Sequence, residues 1–132
     1  MNLKTHHVAF SVDSLETSLK WYKENLSFEL VHKNKWNDLN IALIKSGEVT
    51  IELFQFDDGT EPLPENQKDL MTDLHTTGVK HLCIEVENLD ETIKELKEKS
   101  VEFATEIDTA GFGGKYIFIK DCNGILIELY QR

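Results

Sequence analysis

The chain has 132 residues and a formal net charge of −10, so its length fits one domain with a sound core. Nucleic acids and anionic membrane surfaces would repel this charge, which argues against both as partners. The apolar runs are only a few residues long, and no apolar signal region precedes the first expected strand. Cys83 and Cys122 lie far apart, which predicts two reduced thiols and a cytoplasmic protein.

The first elements in chain order read as a strand followed by a helix. Residues 6–12 alternate between polar and apolar side chains, as a strand with one buried face does. Asp13 is predicted to cap the helix, with Glu16 completing a capping box. The helix carries an apolar stripe at helical spacing, formed by Leu15, Leu19, Tyr22 and Leu26.

Three strands and a connector are predicted next. The strands lie at 27–33, 39–45 and 49–56, the last two joined by a short turn that contains Gly47. Residues 57–77 hold both prolines of the chain and many acidic side chains, with a short helix expected near 65–75. This connector reads either as a solvated linker or as a lid over a pocket.

The remaining residues repeat the pattern of the first half. Residues 80–87 read as a strand, Asn88 with Glu91 as a helix cap, and the helix stripe as Leu89, Ile93 and Leu96. Strands follow near 101–106, 115–120 and 125–131, with residues 121–124 as the turn between the last two. The chain therefore divides into a first module (1–56), a connector (57–77) and a second module (78–132).

Two sequence matches show that the modules are copies. The segment that begins at His7 resembles the segment that begins at His81, and Ile51-Glu52-Leu53-Phe54 resembles Ile127-Glu128-Leu129-Tyr130. The two matches occur in the same order with offsets of 74 and 76 residues, which indicates a duplicated unit. The predicted fold is α+β, with two tandem βαβββ modules forming a curved mixed sheet around a cavity.

The duplicated polar residues are predicted to share the sheet face that carries no helix. Strand residues two apart lie on one face, so the apolar neighbours of His7, Glu52, His81 and Glu128 take the helix side. Two carboxylates buried together need a positive charge between them. Two imidazoles and two carboxylates suit one divalent metal: zinc, nickel or cobalt, with manganese or iron(II) also possible.

This pattern resembles the vicinal oxygen chelate superfamily, which includes glyoxalase I, methylmalonyl-CoA epimerases, extradiol dioxygenases, fosfomycin-resistance transferases and bleomycin-binding proteins. The resemblance is carried by residues 6–30, 78–99 and 113–131. It implies metal ligands at His7, Glu52, His81 and Glu128, a set most similar to bacterial glyoxalase I. It also implies a homodimer.

The implied activity is a glyoxalase I-like lyase or isomerase that removes a proton beside a metal-chelated carbonyl and forms an enediolate. Glu128 is the preferred base and Glu52 the alternative. The substrate is expected to be a 2-oxoaldehyde–thiol hemithioacetal or a related thioester. Other activities remain open: an epimerase, a dioxygenase, a thiol transferase, or a metal-free binding protein of the bleomycin-resistance type.

Three further residues are candidates for contact with the substrate. Ser11 stands where glutathione-using relatives tend to carry an arginine, which puts glutathione in doubt as the thiol. Phe54 shares the face of Glu52 and is a candidate pocket wall. Lys115 follows the glycine-rich segment 111–114 and either meets a substrate carboxylate or phosphate or is a solvated side chain at a turn.

Overall fold

The order strand, helix, strands occurs twice along the chain, and a computed structural model describes all 132 residues. Two compact units result, Met1–Pro62 and Leu63–Arg132. Their boundary lies inside the predicted connector, so most of that segment belongs to the second unit. The α+β class and the duplicated modules are confirmed, and each module has its own hydrogen-bonded sheet.

The first unit contains one helix and a four-stranded sheet. Its elements are β1 (Val8–Ser11), α1 (Leu15–Leu26), β2 (Glu29–Trp36), β3 (Leu39–Ser46) and β4 (Val49–Phe56). The strand order is β1-β4-β3-β2, with β1 parallel to β4 and the other pairs antiparallel.

The second unit repeats this arrangement after a short helical segment. A 3-10 turn (Glu65–Gln67) and α2 (Leu70–Leu74) precede β5 (Leu82–Glu85), α3 (Leu89–Glu98), β6 (Glu102–Phe103), β7 (Asp108–Thr109), β8 (Lys115–Lys120) and β9 (Leu126–Gln131). The strand order is β5-β9-β8-β6, with β7 also paired to β8. The helix expected near 65–75 is therefore confirmed, whereas the two-residue strand β7 was not predicted.

In each unit the helix covers one face of the sheet. The apolar partners on that face are fully buried, as Ile51 and Leu53 are in the first unit and Ile127 and Leu129 in the second. Removing such surface from water stabilises the fold by roughly 25 cal/mol per Å². The predicted assignment of faces is confirmed by this burial, since the alternate residues are left on the opposite face.

The predicted cap of α1 was wrong by one residue. Ser14, not Asp13, is the N-cap, and its hydroxyl accepts a hydrogen bond from the Thr17 amide at 3.2 Å. Asn88 caps α3 as predicted, accepting from the Glu91 amide at 3.1 Å. Ser14 and Asn88 are themselves 74 residues apart, so the duplication would have identified the right residue.

A glutamine on the last strand of each module also holds the start of the helix. Gln55 Oε1 accepts from the Leu15 amide at 2.7 Å, and Gln131 Oε1 accepts from the Leu89 amide at the same distance. Each of these amides lies in the first turn of a helix, where the backbone offers no acceptor. The two modules therefore share a strand-to-helix contact as well as a topology.

None of the three helices is long and apolar enough to cross a bilayer.

Candidate functional site

Glu52 lies in the middle of the first sheet, on the face opposite α1. Its register partners are Ala9 on β1 and Leu43 on β3. Directly paired strand residues share a face, and His7 lies two residues before Ala9, just outside β1. The sheet therefore brings His7 to Glu52, with Nε2 3.6 Å from Oε1.

The other nitrogen of His7 contacts His6. The two Nδ1 atoms are 2.7 Å apart, so one ring donates a hydrogen bond to the other. At 3.6 Å the contact between His7 and Glu52 is too long for a hydrogen bond. Donation from His7 Nδ1 fits both distances, because it leaves a lone pair on His7 Nε2 on the side of Glu52, as a metal ligand needs.

Glu128 occupies the same position in the second sheet. It pairs with Cys83 on β5 and Phe118 on β8, which correspond to Ala9 and Leu43 in the first unit. His81 lies two residues before Cys83. The His81 Nε2 and Glu128 Oε2 atoms are 3.0 Å apart, close enough for a hydrogen bond.

The His81 ring is packed more tightly than that of His7. Its edge meets the Phe118 ring at a centroid distance of 4.7 Å. Its Nδ1 is buried and has no hydrogen-bond partner, so the proton is better placed on Nε2, where Glu128 accepts it. His81 must give up that proton before Nε2 can bind a cation.

The two pairs have the donor chemistry and spacing of neighbouring metal ligands. Metal–ligand bonds of about 2.0–2.2 Å put adjacent ligand atoms about 3.0–3.6 Å apart, and the pairs measure 3.6 Å and 3.0 Å. No group of three or more histidine, cysteine, aspartate or glutamate side chains is placed to hold a metal ion. Each unit thus supplies two ligands, and a centre of four stays a prediction.

Cys83 adds a thiol beside Glu128. The pKa of its thiol is raised to about 12, chiefly by partial desolvation of the sulfur, although the residue as a whole remains exposed. The negative charge of Glu128, a hydrogen bond to that carboxylate and the charge of Glu85 contribute to the same shift. The thiol therefore stays protonated and donates to Glu128. Neither cysteine forms a disulfide.

The predicted substrate residues fall on different faces. Ser11 and Phe54 are register partners, and Phe54 lies two residues beyond Glu52, on its face of the first sheet. Lys115 pairs in register with Gln131, on the helix side of the second sheet, and its ammonium forms a 2.9 Å ion pair with Asp90 of α3. This geometry does not favour a substrate role for Lys115, which stays a prediction.

Sequence reasoning missed two groups near the candidate ligands. Strand periodicity, extended over residues 6–12, places His6 on the face opposite His7, but neither residue is part of β1. Arg132 carries no sequence signal that would link it to the candidate ligands. It follows β9, and its Nε donates at 2.8 Å to Glu85, the register partner of Tyr130.

Comparisons with known proteins find relatives along nearly the whole chain. Residues 4–129 match the family model of the glyoxalase/bleomycin resistance protein/dioxygenase superfamily. The Bacillus subtilis protein YwkD is 28% identical over 96% of this chain and 95% of its own length. Bovine mitochondrial methylmalonyl-CoA epimerase is 27% identical over 97% of this chain and 74% of its own length.

A solved structure supports the same assignment. The glyoxalase family protein from Enterococcus faecalis superimposes with a TM-score of 0.79 and 26% identity, covering 96% of both chains. Members of this superfamily commonly bind a divalent metal. The protein described here belongs to the glyoxalase/bleomycin resistance protein/dioxygenase superfamily.

Proposed function

We propose that this protein is a metal-dependent lyase or isomerase of the glyoxalase I type, which moves a proton between adjacent carbons of a small 2-oxo substrate. One observation carries the proposal. Each duplicated histidine lies beside the duplicated glutamate of its own module, at 3.6 Å and 3.0 Å. Either pair alone has a structural explanation, but the repetition of both in matching register favours a shared chemical role.

The metal ligands in this proposal are His7, Glu52, His81 and Glu128. Zinc, nickel or cobalt suits the mixed nitrogen and oxygen set, and manganese or iron is also compatible. The metal would supply Lewis-acid polarisation of the substrate carbonyl, which makes the neighbouring C–H more acidic.

Glu128 is the proposed base. His81 and Cys83 both donate to its carboxylate, so they hold it in place on the open face of the sheet. A positioned carboxylate can take a proton from the substrate carbon and return it to the adjacent carbon. Glu52 has no cysteine beside it, because Ala9 occupies the equivalent position. Glu52 is accordingly the second candidate for the base.

The open face of the first sheet supplies apolar walls. Phe54 and Ile41 are half-buried register partners two residues along the strands from Glu52. Ser11 completes that row with a hydroxyl group. We include Ser11 and Phe54 as substrate contacts, because a pocket of mainly apolar walls with a few polar groups is typical of small-molecule sites.

A homodimer belongs to the same proposal. Strand β2 is exposed along its whole length, and its apolar side chains include Leu30, Val31 and Trp36 at 53%, 58% and 68% exposure. An edge strand with this much apolar surface is typical of an interface between chains.

Epimerisation of a CoA thioester is the second candidate. The similarity to bovine methylmalonyl-CoA epimerase over 97% of this chain favours it, and Ser11 in place of an arginine disfavours glutathione. The same carboxylates would remove a proton beside the thioester carbonyl and return it to the same carbon.

Two assays separate the candidates. Purified protein loaded with Zn²⁺, Ni²⁺ or Co²⁺ is given methylglyoxal with several thiols, or methylmalonyl-CoA in deuterated water. Formation of a 2-hydroxyacyl thioester supports the first candidate, and exchange of the 2-proton supports the second. Absence of both reactions with every metal would refute proton-transfer chemistry on these substrates.

A further inference from the structure

A cavity of about 490 Å³ lies in the second unit, lined by Phe112, Gly113, Gly114, Tyr130 and Arg132. Its volume falls within the range of about 300–1,000 Å³ that is usual for small-molecule sites. It contains two aromatic rings, an arginine and a glycine-rich backbone, and the proposed metal ligands are not among its walls.

The glycine segment of this cavity is fixed against Tyr130. The Tyr130 hydroxyl donates to the Gly113 carbonyl at 2.8 Å. Gly114 has φ +77°, and a Cβ there would lie 2.4 Å from the Gln131 carbonyl oxygen and 2.5 Å from the Tyr130 hydroxyl. Only glycine fits this approach. The backbone is thus held close to β9 in a defined position.

The fixed glycine segment leaves the adjacent Phe112 ring exposed to solvent. Its side chain is 83% exposed, and its ring meets Tyr130 at a centroid distance of 5.5 Å with a tilt of 49°. An exposed aromatic ring on a fixed loop gains from stacking against a planar apolar group.

The cavity adjoins the candidate catalytic pair. Tyr130 follows Glu128 by two residues on β9, so the two side chains share a face about 7 Å apart. A substrate whose reacting carbon lies at Glu128 therefore reaches the cavity if its chain or ring extends about 7 Å from that carbon.

Arg132 supplies positive charge at the far end. Its Nε donates to Glu85, which is the register partner of Tyr130. The terminal Nη nitrogens have no partner within the chain, and a guanidinium with free Nη groups binds carboxylates well.

We propose that this cavity is the subsite for the distal part of the substrate, and that this part is a planar apolar group with an anionic substituent. Phe112 stacks on the planar group, and Arg132 pairs with the anion. The inference rests on the proposed function for the position of the reacting carbon, whereas the binding chemistry of the cavity is independent of it.

Calorimetric titration of the Zn²⁺-loaded protein with two probes tests this proposal. The first probe, 4-carboxyphenylglyoxylate, carries a 2-oxo acid, a ring and a distal carboxylate. The second, pyruvate, carries only the 2-oxo acid. We expect the first to bind more tightly, and Arg132→Gln to weaken it about tenfold at low ionic strength, as loss of a charge-assisted hydrogen bond does. Phe112→Ala should weaken it about three- to tenfold.

Lys99→Gln is the matched control. It removes one positive charge from the end of α3, in the helix layer that covers the other face of the sheet, so binding of both probes should not change. The affinity for pyruvate should also be unchanged in Arg132→Gln and Phe112→Ala.

The outcomes distinguish this inference from the proposed function. Equal binding of the two probes, an unchanged affinity in Arg132→Gln, or no measurable binding of the aromatic probe would overturn the subsite. A preference that depends on Arg132 supports it, even if Glu128→Gln binds pyruvate as the parent does. Unchanged pyruvate binding in Glu128→Gln would contradict only the proposed role of Glu128 as a metal ligand.

Discussion

His81 and Glu128 meet through Nε2 and Oε2 at 3.0 Å, while Nδ1 of the same imidazole is buried without a partner. The first module has the opposite arrangement, because His6 contacts Nδ1 of His7 and Nε2 lies 3.6 Å from Glu52. The two pairs occupy equivalent positions but differ in which imidazole nitrogen carries the proton. His7 already has a lone pair available, whereas His81 must first lose a proton.

Glu128→Gln should keep the fold and lose metal binding. Glutamine fills the same space and can still contact His81, but it lacks the negative charge that a cation needs. We expect metal affinity to fall by more than about a hundredfold, since even outer-shell partners change it about 10–100-fold. Turnover should be nearly abolished. A competition titration with a chromophoric chelator measures the affinity.

Glu98→Gln is the control for that variant. It removes the same charge from an exposed position at the end of α3, so metal affinity and activity should match the parent. Full activity in Glu128→Gln would exclude this residue as the base and leave Glu52 as the candidate.

His6→Ala should weaken metal binding, and His6→Asn should restore most of it. An asparagine oxygen can accept from His7 Nδ1 in place of the imidazole nitrogen, so it keeps His7 in the metal-binding tautomer. The expected loss in the alanine variant is about tenfold, the lower end of outer-shell effects. The ¹⁵N chemical shifts of His7 in the metal-free protein report the tautomer directly. Equal behaviour of the two variants would contradict the role of His6.

The duplication made most of the fold and both His–Glu contacts predictable. Alternation placed Glu52 and Glu128 on the open faces, and the offsets of 74 and 76 residues linked each to its histidine. What alternation does not specify is side-chain orientation. The unpartnered Nδ1 of His81 depends on how Phe118 packs against the ring, and local sequence carries no signal for that contact.

Gln55→Ala and Gln131→Ala should each destabilise the protein by about 1 kcal/mol. Each variant removes the acceptor for an amide in the first turn of a helix, which costs about as much as losing a helix cap. Chemical unfolding in urea, with an unchanged m value, measures the difference. Gln67→Ala, in the 3-10 turn, is the control and should lie within about 0.5 kcal/mol of the parent. Unchanged stability in both test variants would show that these contacts are not formed in solution.

Gln55 and Gln131 also show that aligning the two modules residue by residue predicts contacts that periodicity alone does not. Extending the match at Glu52 and Glu128 by one more residue aligns Gln55 with Gln131. The same extension on the first strand aligns Ser14 with Asn88 and corrects the predicted cap. The two-residue strand β7 had no such signal, because it is defined only by its pairing with β8.

Cys83 should react slowly with alkylating reagents. With a pKa of about 12, only about one thiol in ten thousand is ionised at pH 8, and the thiolate is the reactive form. Because the pKa is raised, reactivity should increase only as pH rises toward that value. Glu128→Gln removes one cause of the shift, so the rate should increase. Iodoacetamide labelling in a Cys122→Ser background measures both rates. Rapid labelling at pH 8 in the parent would contradict the environment described for the thiol.

Elemental analysis of the purified protein after metal loading and removal of excess metal tests the central claim most directly. The account predicts one tightly bound divalent ion per chain, which is lost in His81→Ala and Glu128→Gln and also in His7→Ala and Glu52→Gln. Folded protein that retains no metal, or variants of either pair that retain it at the parent's stoichiometry, would contradict the claim that both His–Glu pairs are metal ligands.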